Sequence, residues 1–162
     1  MRRNCWIKLF VIMKKIQLDE ADILLYGNLS AYIDDQNRVV VGLGSREAGE
    51  IFLHKLLLPD SPYIDHIDNN PLNNRRDNLR PCTLSQNQGN RKLNHNNTSG
   101  YKGVSLHTQT GLWRARINKT INKKHYEEHL GLFNTKEDAA IAYNNAAIKY
   151  FKEFAKINEV NK

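Results

Sequence analysis

Residues 89–100, GNRKLNHNNTSG, carry no apolar periodicity and are rich in asparagine, which is the composition of a tether rather than of a packed element. Such a tract in the middle of a 162-residue chain leaves room for two small folded regions, each with a modest core. The division expected from it is an extension over residues 1–15, a first domain over 16–92, a tether over 93–100 and a second domain over 101–158.

Before the tract, short apolar runs are broken by Gly27, Asn28, Asp34, Asp35, Gly42 and Gly44. Residues 39–43 and 51–58 read as strands, with 45–49 as a turn. Residues 64–67 make a further short strand that ends in the polar stretch 68–74, and a second pass of chain follows at 78–80. Thr83 then caps a helix whose third position is Gln86, a capping-box spacing just before Asn87. The order over 64–91 is therefore strand, polar loop, strand, helix.

Beyond the tract the pattern changes. Residues 101–107, 113–118 and 126–133 read as three strands, with Gly111 and the stretch 122–124 as turns. A helix follows, capped by Asn134 or Thr135, with Glu137 and Asp138 at the positive end of its dipole. Ala139, Ala142, Tyr143, Ala146, Ala147, Tyr150 and Phe154 fall close to one stripe at helical spacing. The small residues on that stripe let the helix lie close against a sheet. The fold class expected for the whole chain is α+β.

Charge narrows the partners. A net charge of +7 and a pI near 9.4 favour a polyanion, either nucleic acid or an anionic membrane surface. Cys5 and Cys82 are too few and too far apart in sequence for a four-cysteine zinc site or a disulfide framework, which points to a reducing compartment. The apolar stretch 6–13 behind Arg2 and Arg3 is too short to span a bilayer, and Lys14 and Lys15 stand where a cleavage site would be expected. Met13 is an alternative start, with residues 1–12 as an over-called extension.

The residues with chemistry to offer cluster between the two short strands. Asp65 and His66 are adjacent, so on a strand their side chains point to opposite faces. A phosphodiesterase can use that divergence, because a carboxylate can hold a cation while an imidazole addresses water from another side. Asn87, one turn beyond the Thr83 cap, offers a second oxygen donor of the kind that Mg²⁺ or Mn²⁺ accepts. An imidazole base is worth ~10²–10⁴ in rate, and His66 titrates near neutrality. Asn78 cannot act as a base but can fasten the loop. Taken alone, an Asp-His pair is more often a turn or surface feature, Asn69, Asn70, Asn73 and Asn74 are simplest as turn formers, and His54 as a half-buried structural histidine.

The run FLHKLLLPDSPYIDHIDNNPLNNRRDNLRPCTLSQNQGNRK, residues 52–92, resembles the HNH endonucleases of phage and bacterial mobile elements. The twelve-residue step from His66 to Asn78 and the nine-residue step to Asn87 match that pattern closely. The resemblance implies a ββα-metal nuclease fold in which Asp65 and Asn87 bind one divalent cation, His66 activates water, and Asn78 and His54 complete the catalytic set. Two departures stand out. The family's His-Arg is His54-Lys55, which keeps positive charge for phosphate but loses the planar guanidinium. Asn70 replaces a usual glycine, and asparagine still tolerates a left-handed turn. An asparagine rather than a histidine at position 87 makes zinc a poorer match than magnesium or manganese.

In the second half, Arg114, Arg116 and Asn118 alternate with Trp113, Ala115 and Ile117, so one sheet face can be buried while the other presents polar groups. The blander alternative is a solvated basic face. Residues 99–158 resemble the Apetala-type (ethylene-response-factor) DNA-binding domain, through YKGV at 101–104, WRARI at 113–117, LGLF at 130–133, DAAIAYN at 138–144 and FAKIN at 154–158. The resemblance implies a three-stranded antiparallel sheet backed by one helix and inserted in the major groove. Lys102, Ser105, His107, Arg114, Arg116, Asn118 and Lys124 then become contact residues, with Lys55 added from the first half. Ser105 and His107 stand where plant members use arginine, so the plant target sequence does not carry over.

The joint expectation is a site-specific, homing-type nickase acting on double-stranded DNA, with no membrane partner. It would work as a monomer, with a dimer as the alternative, in the cytoplasm of a bacterium or phage-infected host. The rival reading is a sequence-specific DNA-binding regulator with an inactive nuclease domain.

Overall fold

Val39, Val40 and Val41 are all buried, although successive side chains of a strand face opposite ways, so this strand must be covered on both faces. The computed structural model describes residues 7–12, 15–45 and 48–160, which fall into two compact units, Met1–Cys82 and Thr83–Lys162.

In the first unit the valine strand is β3 (Val39–Gly42), flanked by β2 (Ser30–Ile33) and β4 (Glu50–Phe52). With β1 (Ile7–Lys8) they form an antiparallel sheet in the order β1-β2-β3-β4. The short helices are α1 (Leu9–Ile12), α2 (Glu20–Tyr26) and α3 (Leu53–Leu57). A separate antiparallel hairpin joins β5 (Tyr63–His66) to β6 (Leu79–Cys82). Leu9, Ile12, Val39, Val41, Leu53, Leu57, Ile64 and Leu79 share one core, which ties the hairpin to the sheet.

Two expectations change here. Residues 53–57, read as strand, are helical: Leu53 and Leu57 stand one turn apart and are both buried, so the apolar run satisfies a helical face. Residues 7–12, read as part of an extension, belong to the fold, since β1 pairs with β2 and Leu9 and Ile12 are core residues. Residues 1–6, and positions 46 and 47 of the expected 45–49 turn, lie outside the described residues.

The second unit opens with α4 (Leu84–Asn90). Thr83 Oγ1 accepts from Gln86 N and Gln86 Oε1 accepts from Thr83 N, closing the expected capping box. The sheet β7 (Val104–His107), β8 (Leu112–Ile121) and β9 (Lys124–Phe133) is antiparallel in that order. Asn122 and Lys123 both adopt positive φ, the two-residue turn that matches the twist of a hairpin. A register shift between Ala115 and Arg116 marks an irregularity in the β8-β9 ladder. Helix α5 (Lys136–Phe151), capped by Thr135, lies on this sheet with Ala139, Ala140, Tyr143, Ala146 and Ala147 buried. The break between units thus precedes α4, while the sequence placed it after residue 92. Among the described residues no helix is long and apolar enough to cross a membrane.

Candidate active site

The β5-β6 register sets Asp65 opposite Arg80 and His66 opposite Leu79. Alternation along β5 sends the two neighbours to opposite faces. Asp65 is 5% exposed, and its Oδ2 accepts from Arg80 Nε at 2.9 Å and Nη2 at 2.8 Å. Both donors reach Asp65 Oδ2, so the guanidinium compensates the buried charge.

His66 is half-buried. Burial lowers its pKa, against the upward pull of the Asn74 amide, Asp68 and Asp65, so the ring is neutral at neutral pH and able to accept a proton. Its Nε2 lies 3.4 Å from Asn74 Oδ1. Asn74, read from sequence as a turn former, is fully buried and also donates from Nδ2 to Pro71 O at 3.1 Å. Only the crowding of asparagines marked it in the sequence, and that signal does not separate a turn former from a ring partner.

His54, on α3, stacks on Phe52 with centroids 5.5 Å apart and meets the His66 ring edge-on at 5.4 Å. Burial, followed by the charges of His66, Lys55 and Arg38, lowers its pKa to about 4. It is therefore a neutral wall for His66 rather than a cation. Lys55 folds back on the chain that leads into β5, donating from Nζ to Ser61 O and to Pro62 O at 2.7 Å.

The loop between the strands is fastened by Asn78, which is 7% exposed. Its Oδ1 accepts from Asp68 N at 3.1 Å, and its Nδ2 donates to Asp68 Oδ1 at 2.9 Å and Asn73 O at 2.8 Å. Asp68 also accepts from Asn70 N and Asn73 Nδ2, both at 2.8 Å. Burial pushes the Asp68 pKa up, but the bonds from Asn73, Asn70 and Asn78 outweigh it and hold the carboxyl below its usual value. Asn69 takes the left-handed conformation that the turn requires. At the far side of the loop, Arg76 grips Asp22, which is 1% exposed, through bonds of 2.9 and 2.7 Å.

Asn78→Ala is expected to cost about 1–3 kcal/mol, because it leaves the part-buried Asp68 N–H and Asn73 carbonyl without their partner. A thermal melt reads that loss, and cleavage should fall with the loop. A melt within about 1 kcal/mol of the wild type would contradict the clamp.

Asn87 is half-buried on α4, its backbone N bonded to Thr83 O at 3.0 Å, and it belongs to the second unit. In that unit Ala115 and Ile117 are buried while Arg114 and Arg116 are partly exposed and Asn118 is exposed, so the expected two-faced strand is present. Ser105 pairs directly with Arg114, whose Nη2 lies 3.4 Å from Ser105 Oγ, and the buried Arg114 Nε has no hydrogen-bond partner among the described residues. Arg116 reaches Glu127 at 2.9 Å. His107 Nδ1 meets Thr110 Oγ1 at 2.9 Å, and Lys124 is exposed at the start of β9. Lys102 differs from these: its ammonium is engaged by backbone carbonyls at the end of α4.

Comparison with known proteins gives these arrangements a context. Residues 58–88 match the HNH endonuclease family. An uncharacterized HNH endonuclease, L560 of Acanthamoeba polyphaga mimivirus, is 30% identical over 125 residues, covering 72% of this chain and 62% of that protein. Protein 3.8 of Escherichia phage T7 is 45% identical over 60 residues, 37% of this chain and 50% of that protein. The ethylene-responsive transcription factor WRI1 of Arabidopsis thaliana is 46% identical over 52 residues, 32% of this chain and 12% of that protein. The chain thus spans less than two thirds of each of these relatives. No solved structure matches it. The chain therefore carries an HNH endonuclease segment together with homology to AP2-like plant factors over a second segment, the combination expected from its motifs.

Proposed function

We propose that this chain is a metal-dependent DNA endonuclease, a site-specific nickase of the homing type that acts as a monomer in a bacterial or phage-infected cytoplasm. Residues 63–90, from β5 through α4, carry the ββα-metal motif of the nuclease, and residues 101–158 an Apetala-type domain that binds duplex DNA. The observation that carries this reading is the pairing on β5 of a buried carboxylate, Asp65, with a neutral, partly open imidazole, His66, inside the HNH-matched segment.

The donor chemistry suits a hard divalent cation. Among the described residues no group of three or more His, Cys, Asp and Glu side chains is placed to hold a metal. A cation here depends on the Asp65 carboxylate and the amide oxygen of Asn87, a set that suits Mg²⁺ or Mn²⁺ better than zinc. Both residues fall within the segment 58–88. When bound, the cation supplies positive charge to the phosphate and the leaving oxygen. The protein's own share is to accept a proton from water at the imidazole of His66, with His54 packed against that ring and Asn78 fixing the loop. Arg80 holds the buried Asp65 in a salt bridge.

Binding is assigned to the polar face of β7, β8 and the start of β9, with Ser105, His107, Arg114, Arg116, Asn118 and Lys124 as contacts. The partial exposure of Arg114 and Arg116 and the exposure of Asn118 on that face support this. Exchanging both Arg114 and Arg116 for alanine should weaken duplex binding and flatten the slope of log affinity against log salt by about 1–2 units. Mobility shifts over a salt series measure this, and an unchanged slope would remove both residues from the phosphate contacts.

The activity is tested by incubating the protein with its own flanking genomic DNA and magnesium and mapping products on each strand. One cut in one strand supports the nickase, staggered cuts in both imply pairing or sequential action, and intact DNA in every divalent metal rejects the nuclease reading.

A further inference from the structure

Helix α4 packs on other elements of the second unit. Gly89 lies so close to Phe151, itself 2% exposed, that a Cβ there would stand 2.6 Å from Phe151 Cγ. Thr120 N donates to Ser85 Oγ at 3.2 Å, and Thr120 Oγ1 donates to Gln88 Oε1 at 3.1 Å. Lys156 N donates to Gly89 O at 3.1 Å.

The helix end is closed by Lys102. Its Nζ donates to Gly89 O at 2.5 Å and Arg91 O at 2.8 Å, with Gln88 O at 3.5 Å. Cations stabilise the negative end of a helix, and the last carbonyls of α4 have no partners within the helix. Lys102 is itself fixed from behind, because its backbone N donates to Asn158 Oδ1 at 2.6 Å and its carbonyl accepts from Asn158 Nδ2 at 3.1 Å. Burial, with Arg91 and Lys156 nearby, lowers its pKa to about 8, so the carbonyls are its compensation. An ammonium spent in this way is not available to a phosphate.

We propose that Lys102 and Thr120 are positioning residues for the nuclease, through which the DNA-binding domain holds the helix that carries Asn87 in place for the cation. The inference rests on Asn87 being a metal ligand, as proposed above. The anchors of α4 at positions 102, 120, 151 and 156 all lie in the DNA-binding unit.

The test uses the full chain bound to a mixed-sequence duplex. Bound Mn²⁺ is read by electron paramagnetic resonance above that of duplex alone, and duplex affinity is read separately in EDTA. Lys102→Met should weaken Mn²⁺ binding roughly 10-fold, the scale seen when a partner that orients a metal ligand is removed. Duplex affinity should stay within about twofold, since no phosphate contact is lost. Lys102→Arg, which still donates to carbonyls, should restore most of the Mn²⁺ affinity. Should Lys102→Met fail to fold by circular dichroism, Thr120→Val is read in the same way, with a smaller loss expected.

Wild-type Mn²⁺ affinity in the folded Lys102 and Thr120 variants overturns the inference while leaving the nuclease reading standing, provided that Asn87→Ala weakens Mn²⁺ binding. Wild-type Mn²⁺ affinity in Asn87→Ala withdraws the Asn87 reading and the inference with it. A loss of duplex affinity with unchanged Mn²⁺ binding marks Lys102 as an ordinary phosphate contact and also overturns it.

Discussion

His66→Ala is expected to lower the cleavage rate by ~10²–10⁴ while duplex binding stays near that of the wild type. The size follows from the role: a positioned base removes the proton from water in the transition state, and the cation and bound DNA retain their own share of catalysis without it. Binding survives because the proposed contacts lie on β7, β8 and β9, in the other unit. The variant should also fold, since His66 is only half-buried and its 3.4 Å contact with Asn74 is long for a hydrogen bond. Single-turnover cleavage of the flanking DNA, beside mobility shifts, separates the two effects. Equal rates for variant and wild type would remove His66 from the chemistry, and a parallel loss of binding would recast it as a structural residue.

The candidate site was legible to the extent that it is built from residues close in sequence. Asp65, His66 and Asn78 lie within one hairpin, and Thr83 with Gln86 announced the start of α4 through a spacing that has a local physical cause. What stayed hidden depends on partners far along the chain. Asp22 and Arg76 are 54 residues apart, and neither carries a local sign that the other will neutralise it. Gly89 looked like part of a flexible tract, because a glycine followed by asparagines is ordinarily a loop; only contact with Phe151 gives its missing side chain a purpose. Lys102 looked like one more basic residue on a basic face. Its neighbours in sequence give no hint that three carbonyls near the end of α4 stand within its reach.

Secondary structure failed where two periods fit the same letters. Residues 51–58 are apolar almost throughout, so they suit a buried strand or a short helix, and length does not arbitrate. The structure divides them, with β4 ending at Phe52 and α3 beginning at Leu53. That division matters for the site, because His54, carried on α3, stacks on Phe52 and meets His66 edge-on. The C-terminal helix read clearly because alanines at helical spacing and a Thr135 cap point the same way.

Gly103→Ala should be the most damaging small substitution in the second unit, at about 3–5 kcal/mol. Gly103 has φ +76°, in the region that L side chains rarely adopt, which alone costs roughly 1–2 kcal/mol. A Cβ there would also collide with the Tyr143 ring and stand 2.6 Å from the backbone oxygen of Arg116. Neither neighbour can move cheaply: Tyr143, on the buried face of α5, is 3% exposed, and Gly103 O accepts from Arg116 N at 2.9 Å, alongside the β7-β8 pairing. Marginal domains have total stabilities of about 5–15 kcal/mol, so a loss of this size leaves the unit largely or partly unfolded on warming. Thermal melts followed by tyrosine and tryptophan fluorescence measure it, and a midpoint within about 2 °C of the wild type would refute the steric argument. Because α4 is anchored on the same unit, Gly103→Ala should reduce Mn²⁺ binding as well as duplex binding. In that respect it differs from Lys102→Met, which should reduce Mn²⁺ binding alone.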